Sequence, residues 1–489
     1  MIKLCLSLAD PSADVLENKI ARYAGQVPYI EVRLDYLSKL VVPSVPSNSS
    51  TDFIATCRPA RDGGHYKGTE QTRLDLLQNA AHSGFQWVDL ECDVEKPPTF
   101  PAATRIVRSH HCFDRLPPDL PALFSRLKKA GGDVIKVASS ISDTRELTSL
   151  LQWMESLDQD TPFIILGMND LGQTSRFLGA FLGNFWTYVA EDENNKTAPG
   201  QLTLDQAVKL YQLPRWKSCP SIYGVLGNPV AHSLSPPIHN QLFQQHQLEK
   251  IYLPFLLDDV KDWFDYVEKS SLPFSGFSIT LPFKNDVVKC VQHNDSPVDS
   301  INTLVKMDSV WKGINTDYSG FLKALNSRFN LKDKTAIVLG NGGVAHTVVK
   351  ALIDQGVQVT VVGRNSNKVS HFAKLYGCKY ILFSDLPVSA HICVNTTPVG
   401  QYPDIDTAPL TQDQINFEVV YDLVYHPEKT RLLDLAQRRG VETVSGIEMF
   451  VEQAALQSEA WTGLSPDREM MKKLVQIANN TERITKKVS

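Results

Sequence analysis

The stretch VIKVAS, residues 134–139, sets a lysine inside a short apolar, β-branched run. A run of this length reads as a buried strand. Alternation along it places Lys136 on the face opposite Ile135 and Val137. Seven similar runs share the first half of the chain: IKLCLSL from Ile2, YIEVRL from Tyr29, DFIATCR from Asp52, WVDLEC from Trp87, TRIVRS from Thr104, FIILGM from Phe163 and WTYVA from Trp186. Segments of helical length separate them. Parallel strands joined by crossovers, which are nearly always right-handed, predict a compact (β/α)8 barrel over residues 1–212.

Barrel chemistry collects at the C-terminal strand ends, and the polar residues fall there. Glu31, Arg33 and Asp35 end the second strand, and Arg58 ends the third, followed by Asp62. The fifth strand runs into His110 and His111, the seventh leads to Ser175 and Arg176, and TAPGQ (Thr197 to Gln201) follows the eighth. A lysine in water, with a pKa of about 10.4, is neutral about once in 2,500 molecules at pH 7. In a barrel mouth, desolvation and nearby cations bring such a group to roughly 7–8, where its free amine forms a Schiff base. Arg33, Arg58 and Arg176 are expected to supply that cationic pressure and to clamp a substrate carboxylate. A histidine here suits general acid and base work, and spacing alone does not choose between His110 and His111.

Several classes are excluded. A net charge of −5 leaves no electrostatic footprint for nucleic acid. The one basic cluster, TERITKKVS at the end, reads as a solvated tail. No apolar run approaches the roughly 18 residues that span a bilayer. The eight cysteines form no C-x-x-C pair, so neither a zinc site nor a disulfide framework is expected, and reduced thiols point to the cytoplasm.

After PRWKSCP, a stiff linker over 213–220, a second organisation begins. VLGNGGVAHTVV from Val338 has the form strand, glycine turn, helix. Gly340, Asn341, Gly342 and Gly343 would let backbone approach a pyrophosphate at the helix N-terminus. The preceding TAIVLG and the following VQVTVVGR read as flanking strands. Arg364 stands where an NAD site would carry a carboxylate, and Lys368 adds positive charge, which favours NADP. Ahead of this fold lie Ser233 and Ser235 in GNPVAHSLSPPIHN, Thr280 and Lys284 in GFSITLPFK, Asn302 in SINTLV, and Asp317 in GINTDYSGF. Hydroxyls and amides suit a polyol. A Lys–Asp pair suits proton transfer at an alcohol oxygen.

The first half resembles the type I 3-dehydroquinate dehydratases through EVRLD, CRPARDGGHYKG, RSHHCFDRLP, VIKVAS, GMNDLGQTSR and TAPGQ. The resemblance implies Lys136 as the imine lysine, His111 as acid and base, and no cofactor or metal. It implies that Glu31, Arg33, Arg58, Asp62, Arg176, Thr197 and Gln201 hold substrate. Asp62 stands where that family commonly has Glu, and Thr197 replaces Ser.

The second half is similar to the shikimate dehydrogenases through the segments above and NTTPVG, YDLVYHPEKTRLL and SGIEMFVEQA. This implies Ser233 and Ser235 on the substrate carboxylate and Lys284 with Asp317 as the catalytic pair. Thr280, Asn302, Tyr425 and Gln453 would contact substrate. Arg364, Asn365, Lys368, Thr396, Gly446 and Met449 would join the glycine turn around NADP(H). Ser278 departs from the usual Asn, and Gly363, Asn365 and Lys368 modify the usual phosphate signature.

The expected domains are a dehydratase barrel over 1–212, the linker, a substrate lobe over 221–325 completed by helices in 446–489, and an NADP-binding Rossmann-like domain over 326–445. The implied reactions are consecutive: 3-dehydroquinate loses water to give 3-dehydroshikimate, which NADPH reduces to shikimate. A class I Schiff-base lyase of another kind, or a quinate dehydrogenase using NAD, remain as alternatives.

Overall fold

The computed structural model describes residues 1–158, 160–231, 233–386 and 389–477, so the basic tail lies outside the described residues. The chain packs into two compact units, Met1–His232 with Gln247–Phe274, and Ser233–His246 with Ser275–Ser489.

In the first unit the eight expected runs are strands: β1 (Leu4–Leu8), β2 (Tyr29–Arg33), β3 (Asp52–Thr56), β4 (Trp87–Glu91), β5 (Arg105–Cys112), β6 (Val134–Ser140), β7 (Phe163–Met168) and β8 (Thr187–Ala190). A short β9 (Leu202–Thr203) adds to β8. Neighbours pair in parallel in the order β7-β6-β5-β4-β3-β2-β1-β8-β9. The curl closes between β7 and β8 without a ladder. There the Asn184 side chain accepts from Ile165 N at 2.8 Å and donates to Ile165 O at 3.0 Å, imitating a strand partner. One backbone bridge, Phe163 with Asn184, accompanies it.

Helices α1 (Ala13–Tyr23), α2 (Glu70–His82), α3 (Leu120–Lys129), α4 (Thr144–Ser156) and α5 (Asn169–Phe181) form five of the seven crossovers. Strand β2 reaches β3 through a 3-10 turn (Leu34–Tyr36) and a loop, and β4 reaches β5 through a loop, so the expected helix is missing from two of the units. Ser12, Thr69, Asp119 and Asp143 accept from backbone N–H groups at the starts of the first four helices, the usual way to satisfy helix-end donors. Inside the barrel, Tyr29, Trp87 and Trp186 plug the interior with Cys5, Ile54 and Val107.

The stretch read as a linker is anchored: Leu213 and Trp216 are buried, and Trp216 Nε1 donates to Tyr211 O at 3.1 Å. Beyond it, β10 (Ser221–Gly227) pairs in parallel with β11 (Lys250–Leu256). Helix α6 (Ser235–Gln245) belongs to the second unit, and α7 (Val260–Val267) returns to the first. Helix α4 is fastened to the α7 region. Asp258 accepts from Thr144 N at 2.8 Å, and Glu155 accepts from the Tyr266 and Ser270 hydroxyls, both at 2.6 Å.

The second unit holds β12 (Phe274–Ile279, from Ser275 on), β13 (His293–Asn294), β14 (Thr303–Met307) and β15 (Val310–Ile314). Strand β14 runs antiparallel to both β12 and β15. After α8 (Thr316–Asn326) come β16 (Thr335–Leu339), α9 (Gly343–Asp354), β17 (Gln358–Gly363), α10 (Ser366–Tyr376), β18 (Lys379–Leu382), β19 (Ile392–Asn395), β20 (Val419–Asp422), α11 (Arg431–Arg438), β21 (Glu442–Ser445) and α12 (Gly446–Thr462). The order β18-β17-β16-β19-β20-β21, all parallel, is the doubly wound arrangement whose strand order reverses beside the first strand. Separate apolar clusters cover the sheet, one around Val338, Val361 and Val394, the other around Leu339, Val362 and Cys393.

Candidate active sites

A cavity of about 170 Å³ opens at the C-terminal end of the barrel. Its wall contains Glu31, Arg33, Arg58, Asp62, His111, Lys136, Arg176, Thr197 and Gln201, every barrel residue assigned from the resemblance. Strand β5 extends through both histidines. His111 faces the cavity, whereas His110 turns to Cys92, with Nδ1 3.3 Å from the sulfur. The Phe113 ring covers the mouth, packed so closely on Gly63 that a Cβ there would lie 2.3 Å from it.

The surroundings of the lysine correct one expectation. Lys136 Nζ touches carboxylates rather than cations: Asp89 Oδ2 at 3.0 Å and Glu31 Oε1 at 3.8 Å. The three arginines are not equivalent either. Arg33 is paired with Asp35 at 2.8 Å, and Arg58 with Asp89 at 2.7 Å and Glu91 at 2.6 Å. Arg176 has no carboxylate among the described residues. Its Nη2 donates to Pro199 O at 3.2 Å, its Nε has no partner, and burial pulls its pKa down to about 10. A buried cation without a counter-charge is costly, so Arg176 is the one arginine of the three left for an anion.

Burial, followed by Arg58 and Lys136, holds His111 well below its ordinary pKa. The imidazole is therefore neutral at pH 7, and its Nδ1 has no hydrogen-bond partner among the described residues. Asp62 does not orient it: the carboxylate lies 3.6 Å from Arg61, and burial pushes its pKa up. Gln201 Oε1 accepts from Thr197 N at 3.0 Å, fixing the TAPGQ turn over the cavity.

Sequence reading missed Asp89, Glu91 and Ser109. Ser109 Oγ donates to Asp89 Oδ1 at 2.6 Å, and Arg73 joins Glu91 at 2.6 Å. Two acids at i and i+2 in the otherwise apolar WVDLEC share one strand face, a signal that pointed into the barrel.

In the second unit Lys284 Nζ lies 2.5 Å from Asp317 Oδ2, so the two are brought together as expected. Asp317 sits in the first turn of α8, whose cap Asn315 accepts from Tyr318 N. Ser233 Oγ accepts from Ser235 N at 3.3 Å at the start of α6. Asn302 is buried and spends its side chain locally, accepting from Thr316 N at 2.7 Å and donating to Thr316 Oγ1 at 3.0 Å. Gln453 Nε2 donates to Phe450 O at 3.0 Å, and Tyr425 packs on Phe450. Thr280, half-buried, lies just beyond the end of β12. Ser278 reaches Gln457 on α12 at 3.0 Å, a buried contact that local pattern does not reveal.

The glycine turn between β16 and α9 fits a dinucleotide. Gly340 has φ +103°, and a Cβ there would lie 2.8 Å from Thr396 Oγ1, so a side chain is excluded twice. Thr396 Oγ1 donates to Leu339 O at 2.7 Å, locking the next loop against the turn. Gly342 and Gly343 face open space at the N-terminus of α9, with Asn341 between Gly340 and Gly342 in the same turn. Bare glycines before uncapped N–H groups leave room for phosphate. Arg364 and Lys368 are exposed after β17, and Asn365 caps α10 by accepting from Lys368 N at 3.0 Å. Gly446 begins α12 in close approach to Leu423 O and Val424 O, and Met449 is buried one turn on.

Among the described residues no helix is long and apolar enough to cross a membrane, and no group of His, Cys, Asp and Glu could hold a metal ion.

Comparison with known proteins finds relatives for both halves. The type I 3-dehydroquinase profile matches residues 4–216, and the shikimate dehydrogenase substrate binding domain profile matches 225–304. The shikimate / quinate 5-dehydrogenase profile matches 323–397, and the shikimate 5'-dehydrogenase C-terminal domain profile 446–476. The bifunctional 3-dehydroquinate dehydratase/shikimate dehydrogenase, chloroplastic, of Arabidopsis thaliana is 30% identical, over 96% of this chain and 83% of that protein. The shikimate dehydrogenase (NADP(+)) of Clostridium beijerinckii is 32% identical over 53% of this chain and 98% of its own. A crystal structure of shikimate 5-dehydrogenase from Thermus thermophilus, in complex with NADP(H) and shikimate, is 31% identical. It covers 53% of this chain and 99% of its own, with a TM-score of 0.48.

Proposed function

Since the chain belongs to the family of bifunctional 3-dehydroquinate dehydratases/shikimate dehydrogenases, we propose that its two units run consecutive reactions on one ring acid through the residues described above. It is a lyase and an NADP-dependent oxidoreductase in one chain. The proposed substrates are 3-dehydroquinate, 3-dehydroshikimate and shikimate. The proposed domain bounds are 1–212, 221–325 with 446–489, and 326–445. One observation carries the reading of the barrel: a buried lysine and a neutral histidine line the same cavity.

In the barrel, Arg176 takes the substrate carboxylate, its one uncompensated charge being opposite in sign. Lys136 Nζ attacks the ring ketone, and loss of water gives a protonated imine, an electron sink for the adjacent carbon. His111 removes the proton there and returns one to the departing hydroxyl. Glu31, Arg33, Arg58, Asp62, Thr197 and Gln201 shape the cavity around the ring.

In the second unit, Ser233 and Ser235 receive the carboxylate, with Thr280, Asn302, Tyr425 and Gln453 around the ring. Lys284 passes a proton to the ketone oxygen as that carbon is reduced, and Asp317 holds the ammonium in place. The glycine turn Gly340–Gly343, Thr396, Gly446 and Met449 would hold NADP(H), with Arg364, Asn365 and Lys368 at the ribose phosphate. The nicotinamide supplies the reducing equivalents when bound. A cytoplasmic location belongs to the same reading and rests on eight free cysteines, although the Arabidopsis relative is named chloroplastic.

The test is direct. Purified protein given 3-dehydroquinate and NADPH should oxidise the cofactor and release shikimate. Absence of both products from folded protein would end the reading.

A further inference from the structure

Asp89 is fully buried in contact with Lys136 and was assigned no task by the pattern of the sequence. We infer that it is the fixed counter-ion of the reacting nitrogen, positioning Lys136 Nζ and balancing the charge this nitrogen carries before and after imine formation. The inference rests on the imine reading of Lys136 proposed above.

The geometry is specific. Asp89 Oδ2 accepts from Lys136 Nζ at 3.0 Å and from Arg58 Nη2 at 2.7 Å, while Oδ1 accepts from Ser109 Oγ at 2.6 Å. Both oxygens are held, so the carboxylate is immobile while the lysine arm is gripped at one point. Glu31, the other acid nearby, lies farther off at 3.8 Å and accepts instead from Ser7 at 2.5 Å and Thr56 at 3.0 Å. Burial raises the pKa of Asp89, but Arg58 and Lys136 outweigh it and keep the group ionised. Cys5, Arg58, Glu31, His111 and the Tyr188 ring, 4.5 Å from Nζ, complete the charged and titratable surroundings of the amine.

Charge balance explains why a carboxylate is tolerable beside a nucleophilic amine. An ammonium and a ketone give a protonated imine and water. The C–N bond forms, the C–O bond breaks, and the oxygen leaves with two of the nitrogen's protons. Nothing is oxidised, and the nitrogen carries one positive charge at both ends of the step. A fixed anion therefore stabilises both ends without moving, and Arg58 on the same oxygen limits how strongly it opposes the transient free amine.

The experiment compares Asp89→Asn and Ser109→Ala with the parent in the full chain. It follows dehydratase rate from about pH 6 to 10, adduct formation by borohydride with 3-dehydroquinate, and shikimate oxidation as an internal control of folding. Asp89→Asn should lower dehydratase kcat about 10²-fold, reduce the trapped adduct and move the rising limb of kcat/KM to lower pH. Shikimate oxidation should be unchanged. Ser109→Ala removes the donor to Asp89 Oδ1 and the acceptor of Arg58 Nη1 but keeps the Oδ2 contact with Lys136. With less of its charge shared, Asp89 should hold the ammonium more strongly and move the limb to higher pH. This shift decides the matter if Asp89→Asn does not fold. A fall in kcat with an unmoved limb and normal trapping would overturn the inference and leave the imine intact. Failure of the parent to form any adduct would remove the imine reading itself, and this inference with it.

Discussion

The Glu155 carboxylate on α4 accepts a 2.6 Å hydrogen bond from the Tyr266 hydroxyl on α7, joining a barrel helix to a segment that lies 111 residues further along the chain. Ser270 and Ser271 add three more donors to the same carboxylate. Glu155→Ala strands these donors in a partly buried seam, which costs about 1–3 kcal/mol. Urea unfolding should show that loss at pH 7 with imine trapping at Lys136 unaffected. Burial raises the Glu155 pKa, but the hydrogen bonds from Ser270 and Tyr266 lower it further, to a net depression. The stabilisation is thus present above the unfolded carboxylate pKa and fades as pH falls through the lower folded value. An unchanged midpoint would show that the seam contributes nothing.

Arg176 is predicted to matter to function and not to folding. Truncating one partner of a buried charge pair costs about 2–5 kcal/mol, so Arg176→Gln should lower dehydratase kcat/KM by roughly 10²–10³-fold, mainly through KM. Without substrate its charge is uncompensated, so the variant should melt at the same temperature or higher. A lower melting temperature with unchanged KM would contradict its assignment to the substrate carboxylate.

Much of this arrangement was legible because it follows from strand periodicity. The eight barrel runs are buried strands, and Lys136 stood out as the charge amid apolar neighbours. The glycine turn was legible through Gly340, whose positive φ no ordinary side chain adopts comfortably. What stayed hidden depended on distances across the fold. Whether Arg58 serves substrate or a neighbouring acid is fixed by Asp89 and Glu91 on β4, which no local pattern relates to it, whereas the partner of Arg33, Asp35, is only two residues on. The choice between His110 and His111 stayed open in the sequence and is made by the structure: His111 faces the cavity, and His110 turns to Cys92. Asn184 closing the barrel and Gln457 reaching Ser278 left no trace in the sequence, because an amide on a helix or loop has many bland uses.

Asp422 yields a pH prediction for the second unit. It accepts from Asn395, Val424 N and Thr430, and burial pushes its pKa up to about 6. The folded state then holds a proton that the unfolded chain releases near pH ~3.9. Its contribution to stability is therefore full below about pH 4, falls by about 1.4 kcal/mol per pH unit up to about 6, and is level above that. Asp422→Asn removes this dependence. Denaturation from about pH 4 to 7 should show the variant gaining on the parent up to about pH 6, whereas a constant difference would contradict the assignment.

The central claim, two independent pockets in one chain, is tested most directly by complementation. Lys136→Ala and Lys284→Ala, each supplied with 3-dehydroquinate and NADPH, should make no shikimate alone. Mixed, they should make it, because 3-dehydroshikimate released by the second variant is reduced by the first. Shikimate from either variant alone, or none from a mixture of two folded variants, would contradict the account.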